Sequence, residues 1–95
     1  MERYFTRKGV FDMISKNVII RQENLEPDYV VEIAKKCSSF NSTITMYAKN
    51  QAVNLKSIVN IFGTALEKDE EVELVFSGND EELACEAILQ LFDHE

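Results

Sequence analysis

The sequence predicts an α+β fold: one antiparallel sheet with helices over one face and solvent on the other. Three observations predict it. Thr43–Tyr47 and Glu71–Phe76 alternate apolar and polar residues with the period of a half-buried strand. Val30, Ile33, Ala34 and Cys37, and later Ala84, Ala87, Ile88, Leu91 and Phe92, recur with the period of a helix. The order of the segments, β-α-β-β-α-β-α, contains a hairpin, and a hairpin joins antiparallel neighbours.

Taken in chain order, Val18, Ile19 and Ile20 make a β-branched run and predict a first strand over 17–21. The helical face that starts at Val30 predicts a first helix. Pro27 suits its first position, where a missing N–H is no loss. Asp28 in the first turn and Lys35 and Lys36 near the end complement the helix dipole. Glu26 then falls at the N-cap, where glutamate is not a favoured residue. Asn41–Ser42 breaks the pattern before the strand carrying Ile44 and Met46. Ala48-Lys49-Asn50 reads as the turn of a hairpin whose return strand holds Ala52, Val53 and Leu55. Ser57 opens a short helix with Ile58, Ile61 and Phe62. Glu67 to Glu73 reads as a solvated acidic turn and strand face. Asn79, followed three residues on by Glu82, has capping-box spacing ahead of the last helix, and Asp80, Glu81 and Glu82 read as first-turn dipole complements. Residues 1–16 form an N-terminal extension to a domain spanning 17–95. Tyr4, Phe5, Val10, Phe11, Met13 and Ile14 make that extension too apolar for a free tail. It is expected to be partly ordered, packing on the open face of the sheet.

Ninety-five residues make one domain. A chain of this size buries about 60–65% of the surface its unfolded form exposes, enough for one core without staples. The net charge of −7 is uneven: residues 1–21 carry five bases and two acids, whereas the remainder carries five bases and fifteen acids. An acidic body argues against a nucleic-acid partner. Cys37 and Cys85 lie on apolar helix faces and read as core thiols. With His94, the penultimate residue and expected to be inert, they are too few for a Cys/His metal site. No metal or other cofactor is expected. No stretch reaches the roughly 20 apolar residues of a membrane span, and no signal-peptide core follows the basic N-terminus, so the expected place is the cytoplasm.

VNLKSI at 53–58 resembles the regulatory-serine segment of the bacterial phosphocarrier protein HPr family. Ser77-Gly78 with the acidic run through Glu82, and Ala84 and Ala87 in the last helix, resemble its C-terminal part, and KCSSF at 36–40 resembles its first-helix exit. The resemblance covers residues 17–93 and implies an open-faced β-sandwich of four antiparallel strands with three helices on one face. It implies two functional positions. The family's phosphocarrier histidine lies in a GxHARP-like segment at the N-cap of the first helix, and the corresponding segment here is NLEPDYV. Glu26 stands for the histidine, Asp28 for the arginine and Asn24 for the glycine. Relay needs an imidazole nucleophile and a guanidinium to hold the phosphoryl oxygens, so no catalytic residue and no enzymatic activity are carried over. The serine is present as Ser57. In HPr-like proteins of Gram-positive bacteria a kinase phosphorylates that serine, and the product is a corepressor for a LacI-type catabolite regulator. The catabolite repression HPr-like protein lacks the histidine and keeps the serine, as this chain does. The family's partner surface corresponds to Ile58, Val59 and Phe62, with Ile61 on the core side.

These residues support readings of different classes. One is a non-catalytic regulatory or interaction module of the phosphotransferase system or of carbon catabolite regulation, phosphorylated at Ser57 by an HPr kinase and docking through the second helix. Another is a phosphocarrier in which Glu26 accepts the phosphoryl group, with Asp28 repelling it. A third is an HPr-fold domain with a private partner and no phosphorylation, Ser57 being a plain helix cap. A monomer and a dimer formed by exchange of the N-terminal strand are both open.

Overall fold

The centre of the sheet is formed by its last strand in the chain. A computed structural model describes the backbone of residues 3–5 and residues 13–92 in full. Its strands are β1 (Arg3–Phe5), β2 (Met13–Ile19), β3 (Thr43–Ala48), β4 (Gln51–Asn54) and β5 (Glu71–Ser77), and its helices are α1 (Pro27–Ser38), α2 (Ile58–Phe62) and α3 (Glu81–Leu89). The sheet order is β1-β2-β5-β3-β4, and every neighbouring pair is antiparallel. Strands β2 to β5 and the three helices make the open-faced α+β sandwich, in the expected order, and β1 adds a fifth strand at one edge.

The alternation that marks β5 places Val72, Leu74 and Phe76 under the helices, all buried. Register then builds rows across the sheet. Phe76 stands between Ile14 of β2 and Ile44 of β3, and Leu74 faces Met46, which in turn faces Val53 of β4. From above, Val30, Ile33, Ala34 and Cys37 of α1 and Ala84, Cys85 and Ile88 of α3 close the core. Both cysteines are free thiols in this core.

The first strand of the sandwich runs over Met13–Ile19, not 17–21. The β-branched run at 18–20 marks its end rather than its whole length, because Ile14 alternates with Ser15 and Lys16 and so carries no apolar run. Met13 to Lys16, placed above in the extension, therefore belong to the sheet. Arg3–Phe5 pairs along β2 at the sheet edge, which differs from packing on the open face; backbone pairing satisfies edge amides that face packing leaves unpaired. Val10 and Phe11 lie outside the described residues. On the open face the Ser15 hydroxyl donates to the Glu73 carboxylate, so the acidic stretch 67–73 is not wholly solvated.

Two junctions hold the loops. Lys49 and Asn50 have φ of 52° and 63°, the left-handed pair of a two-residue hairpin turn. Asn takes this region readily. Lys49 is held there by its ammonium, which donates to the Ala65 carbonyl and lies 3.9 Å and 3.8 Å from the Glu67 and Glu70 carboxylates. At the other junction α3 begins at Glu81, so the expected Asn79–Glu82 capping box does not form. The Glu81 carboxylate, buried, instead accepts from the Gly78 amide at 2.9 Å. Asp80 turns away from its own helix. Its carboxylate accepts from the Asn41 and Ser42 amides, each at 2.8 Å, and from the Ser42 hydroxyl. These donors hold the Asp80 carboxyl below its ordinary value, the Ser42 hydroxyl contributing most. Asp80 thus ties the exit of α1 to the start of α3 rather than simply complementing a dipole.

Candidate functional site

The chain leaves β2 through a 3-10 turn, Gln22–Leu25, that sets the start of α1. Asn24 anchors this turn. It is buried, its side-chain oxygen accepts from the Arg21 amide at 2.8 Å, and its side-chain nitrogen donates to the Leu91 carbonyl at 2.9 Å. The Tyr29 hydroxyl donates to the same carbonyl at 2.8 Å. Burial, and to a lesser extent the Glu23 carboxylate, raises the Tyr29 phenol pKa. The segment that follows α3 therefore fixes the approach to α1 from behind.

Glu26 sits at the N-cap of α1 with extended backbone (φ −79°, ψ 139°), and its side chain makes no capping hydrogen bond. Pro27 takes the first helical position and Asp28 the first turn, and all three are exposed. Residues 22–34 contain four acids and no Lys or Arg. A phosphoryl group on Glu26 would find no cation within its own segment and would meet Asp28, so the local chemistry opposes carrying it.

Ser57 lies at the N-cap of α2, half-buried, and its Oγ accepts from the Asn60 amide at 3.2 Å. The turn before it is closed by the Ser57 amide on the Asn54 carbonyl at 3.0 Å. Asn60, on no apolar face, joins this helix to β4: its side-chain oxygen accepts from the Asn54 amide at 3.1 Å. Its place three residues after a serine cap is the signal that marks it, because that position commonly turns a side chain back toward the cap. Lys56 is also engaged. Its ammonium reaches the Phe40 carbonyl at 2.8 Å and spans from the start of α2 to the exit of α1. It passes near Cys37, whose thiol is pushed up to about 12 by burial, against the lowering effect of this charge.

The apolar residues of α2 divide as expected. Ile61 is 4% exposed, whereas Ile58 is 37%, Phe62 52% and Val59 79% exposed. Grooves flank the helix on both sides. One runs beside β4, between Ala52 and Val59. The other, about 200 Å³, lies against the start of α1 and is lined by Leu25, Val30, Ile61, Phe62 and Leu66. Leu25 and Leu66 had no periodic signal, because both lie in irregular segments. Among the described residues no group of three or more His, Cys, Asp or Glu could hold a metal ion, and no helix is long and apolar enough to cross a membrane. His94 lies outside the described residues.

The family model described as the PTS HPr component phosphorylation site matches residues 15–94. The chain belongs to the HPr family. The phosphocarrier protein HPr of Mycoplasma capricolum is 40% identical over 58 residues, a stretch covering 61% of this chain and 65% of that protein, a little under two-thirds of its length. The solved structure of a Mycoplasma histidine-containing phosphocarrier protein superimposes with a TM-score of 0.76 at 33% identity, covering 81% of this chain and 89% of that one. Crh of Bacillus subtilis, a catabolite-repression protein solved as a swapped dimer, shares the fold with a TM-score of 0.66 at 18% identity, covering 96% of this chain and 91% of that one.

Proposed function

We propose that this protein is a non-catalytic regulatory module of HPr type, switched at Ser57 by a protein kinase and read by a protein partner on α2. The observation that carries the reading is the contrast between the two helix starts. The start of α1 has an exposed carboxylate, Glu26, where the resemblance puts the family's histidine, and a second one two residues on, with no Lys or Arg in residues 22–34. The start of α2 keeps a serine cap beside three exposed apolar side chains. A phosphate on Ser57 would add about −1.5 to −2 charge next to that apolar patch. A surface altered in this way discriminates partners by charge as well as by shape.

The engaged Lys56 gives the switch a physical route. A phosphate on Ser57 would lie one residue from Lys56, whose ammonium ties α2 to the exit of α1 through the Phe40 carbonyl, and would attract that charge. A LacI-type regulator is the partner class this reading suggests. Incubation with an HPr kinase and ATP, followed by peptide mass spectrometry, tests it: phosphate on Ser57, and none in Ser57→Ala, is the expected result. Absence of phosphate on the wild type, with a folded control substrate modified in the same tube, leaves Ser57 as a plain cap.

A further inference from the structure

We propose that the α2 face docks a cationic amphipathic segment of its partner, one that presents large apolar side chains flanked by arginine or lysine. This rests on the docking role given to α2 above and adds the chemistry of what docks there. The apolar part follows from shape. Ile58, Val59 and Phe62 stand on one short helix, and the groove lined by Leu25, Phe62 and Leu66 continues this surface onto the start of α1. Tyr47 and Leu83 are also large and exposed, but they lie on β3 and α3, and single exposed apolar residues are ordinary.

The charge of the walls selects the occupant. One wall is the start of α1, where Leu25 and Val30 line the groove and Glu26 and Asp28, between them in the chain, are exposed. The other wall, residues 57–66, has no charged residue at all. Lys56, the nearest cation in sequence to that wall, keeps its charge but directs its ammonium to the Phe40 carbonyl at the exit of α1. An acidic partner is repelled here. A neutral partner covers Glu26 and Asp28 without supplying donors, which costs desolvation. An arginine satisfies both demands, since its guanidinium pairs with a carboxylate and stacks on an aromatic ring such as Phe62.

The test uses the full chain, isotopically labelled, and three synthetic amphipathic peptides with identical leucines whose polar positions are all Arg, all Gln or all Glu. Amide-shift titration is expected to show the Arg peptide perturbing residues 24–32 and 57–66 and the Glu peptide perturbing neither. Glu26→Gln/Asp28→Asn, at exposed positions, is expected to weaken the Arg peptide by roughly three- to tenfold. Raising salt to about 1 M, where the screening length falls to about 3 Å, should weaken it similarly. Equal binding of the Gln and Arg peptides at 57–66 overturns the cationic partner and leaves the docking surface standing. Arg-peptide shifts confined to 67–73, or unchanged by the double variant, overturn the proposal as general charge attraction. No shift at 57–66 with any peptide, or binding unaffected by Phe62→Ala, overturns the docking surface as well.

Discussion

Replacing Ser57 by alanine isolates the part of the account that depends on a single hydroxyl. The Ser57 Oγ accepts from the Asn60 amide at 3.2 Å, and alanine leaves that amide without a partner from the chain. The helix it opens is five residues long and buries one of them, Ile61. So short a helix has little intrinsic stability and depends on its cap and its tertiary contacts. Loss of a serine cap costs about 1 kcal/mol, which lowers the melting temperature of a domain of this size by about 4–8 °C. Urea and thermal denaturation read the loss. Ser57→Asp keeps an acceptor at the cap and places a negative charge at a helix N-terminus, so it should lose less than half as much. An alanine variant within about 0.3 kcal/mol of wild type would refute the capping role. So would an aspartate variant as unstable as the alanine, because the acceptor geometry would then not be what holds the helix.

Asp80 gives a pH-dependent prediction. Its carboxyl is held below the ordinary value by hydrogen bonds present only in the folded state, so its contribution is present above the unfolded value and is lost as pH falls through the folded one. Stability should decline below about pH 4, and Asp80→Asn should lower stability at neutral pH while flattening that decline in a denaturation series. Gly78→Ala should cost about 1–3 kcal/mol, since φ is +153° and an added Cβ would lie 2.6 Å from the Ser42 Cα; a melting curve like that of wild type contradicts this. Cys37, with its thiol pushed up to about 12, should resist a thiol reagent at pH 8 until the chain is unfolded. Removing residues 1–5 takes away only the edge strand β1 and should lower the melting temperature modestly, whereas removing residues 1–16 cuts into β2 and should prevent folding.

The parts of the fold legible in the sequence are those where one face is buried and periodicity follows. Thr43–Ala48 and Glu71–Ser77 alternate cleanly, and α1 shows its apolar stripe at Val30, Ile33, Ala34 and Cys37. The sequence pattern shows only the end of β2, because Ser15 and Lys16 interrupt its apolar residues, although Ser15 is buried against Glu73. The start of α3 differs from the capping-box expectation for a related reason. A capping-box spacing describes a local contact, and Asp80 and Glu81 spend their carboxylates on Ser42 and Gly78 instead. At the site, the division of α2 into Ile61 inside and Ile58, Val59 and Phe62 outside was legible, because a short amphipathic helix offers few ways to turn. The clamp of Asn60 on Asn54, the reach of Lys56 to Phe40 and the groove between Leu25 and Leu66 were not, because each joins irregular segments far apart in the chain.

On the proposed reading, this HPr-family chain uses the start of α2 for regulation and does not relay phosphate through the start of α1. Two phosphoryl donors presented in parallel test it most directly: phosphoenolpyruvate with the first enzyme of the sugar phosphotransferase chain, and ATP with an HPr kinase, each followed by intact-mass and peptide mass spectrometry. No phosphate is expected from the first donor, and a single phosphate on Ser57 is expected from the second. A hydroxylamine-sensitive label on Glu26 from the first, with Ser57 unmodified by the second, would contradict it.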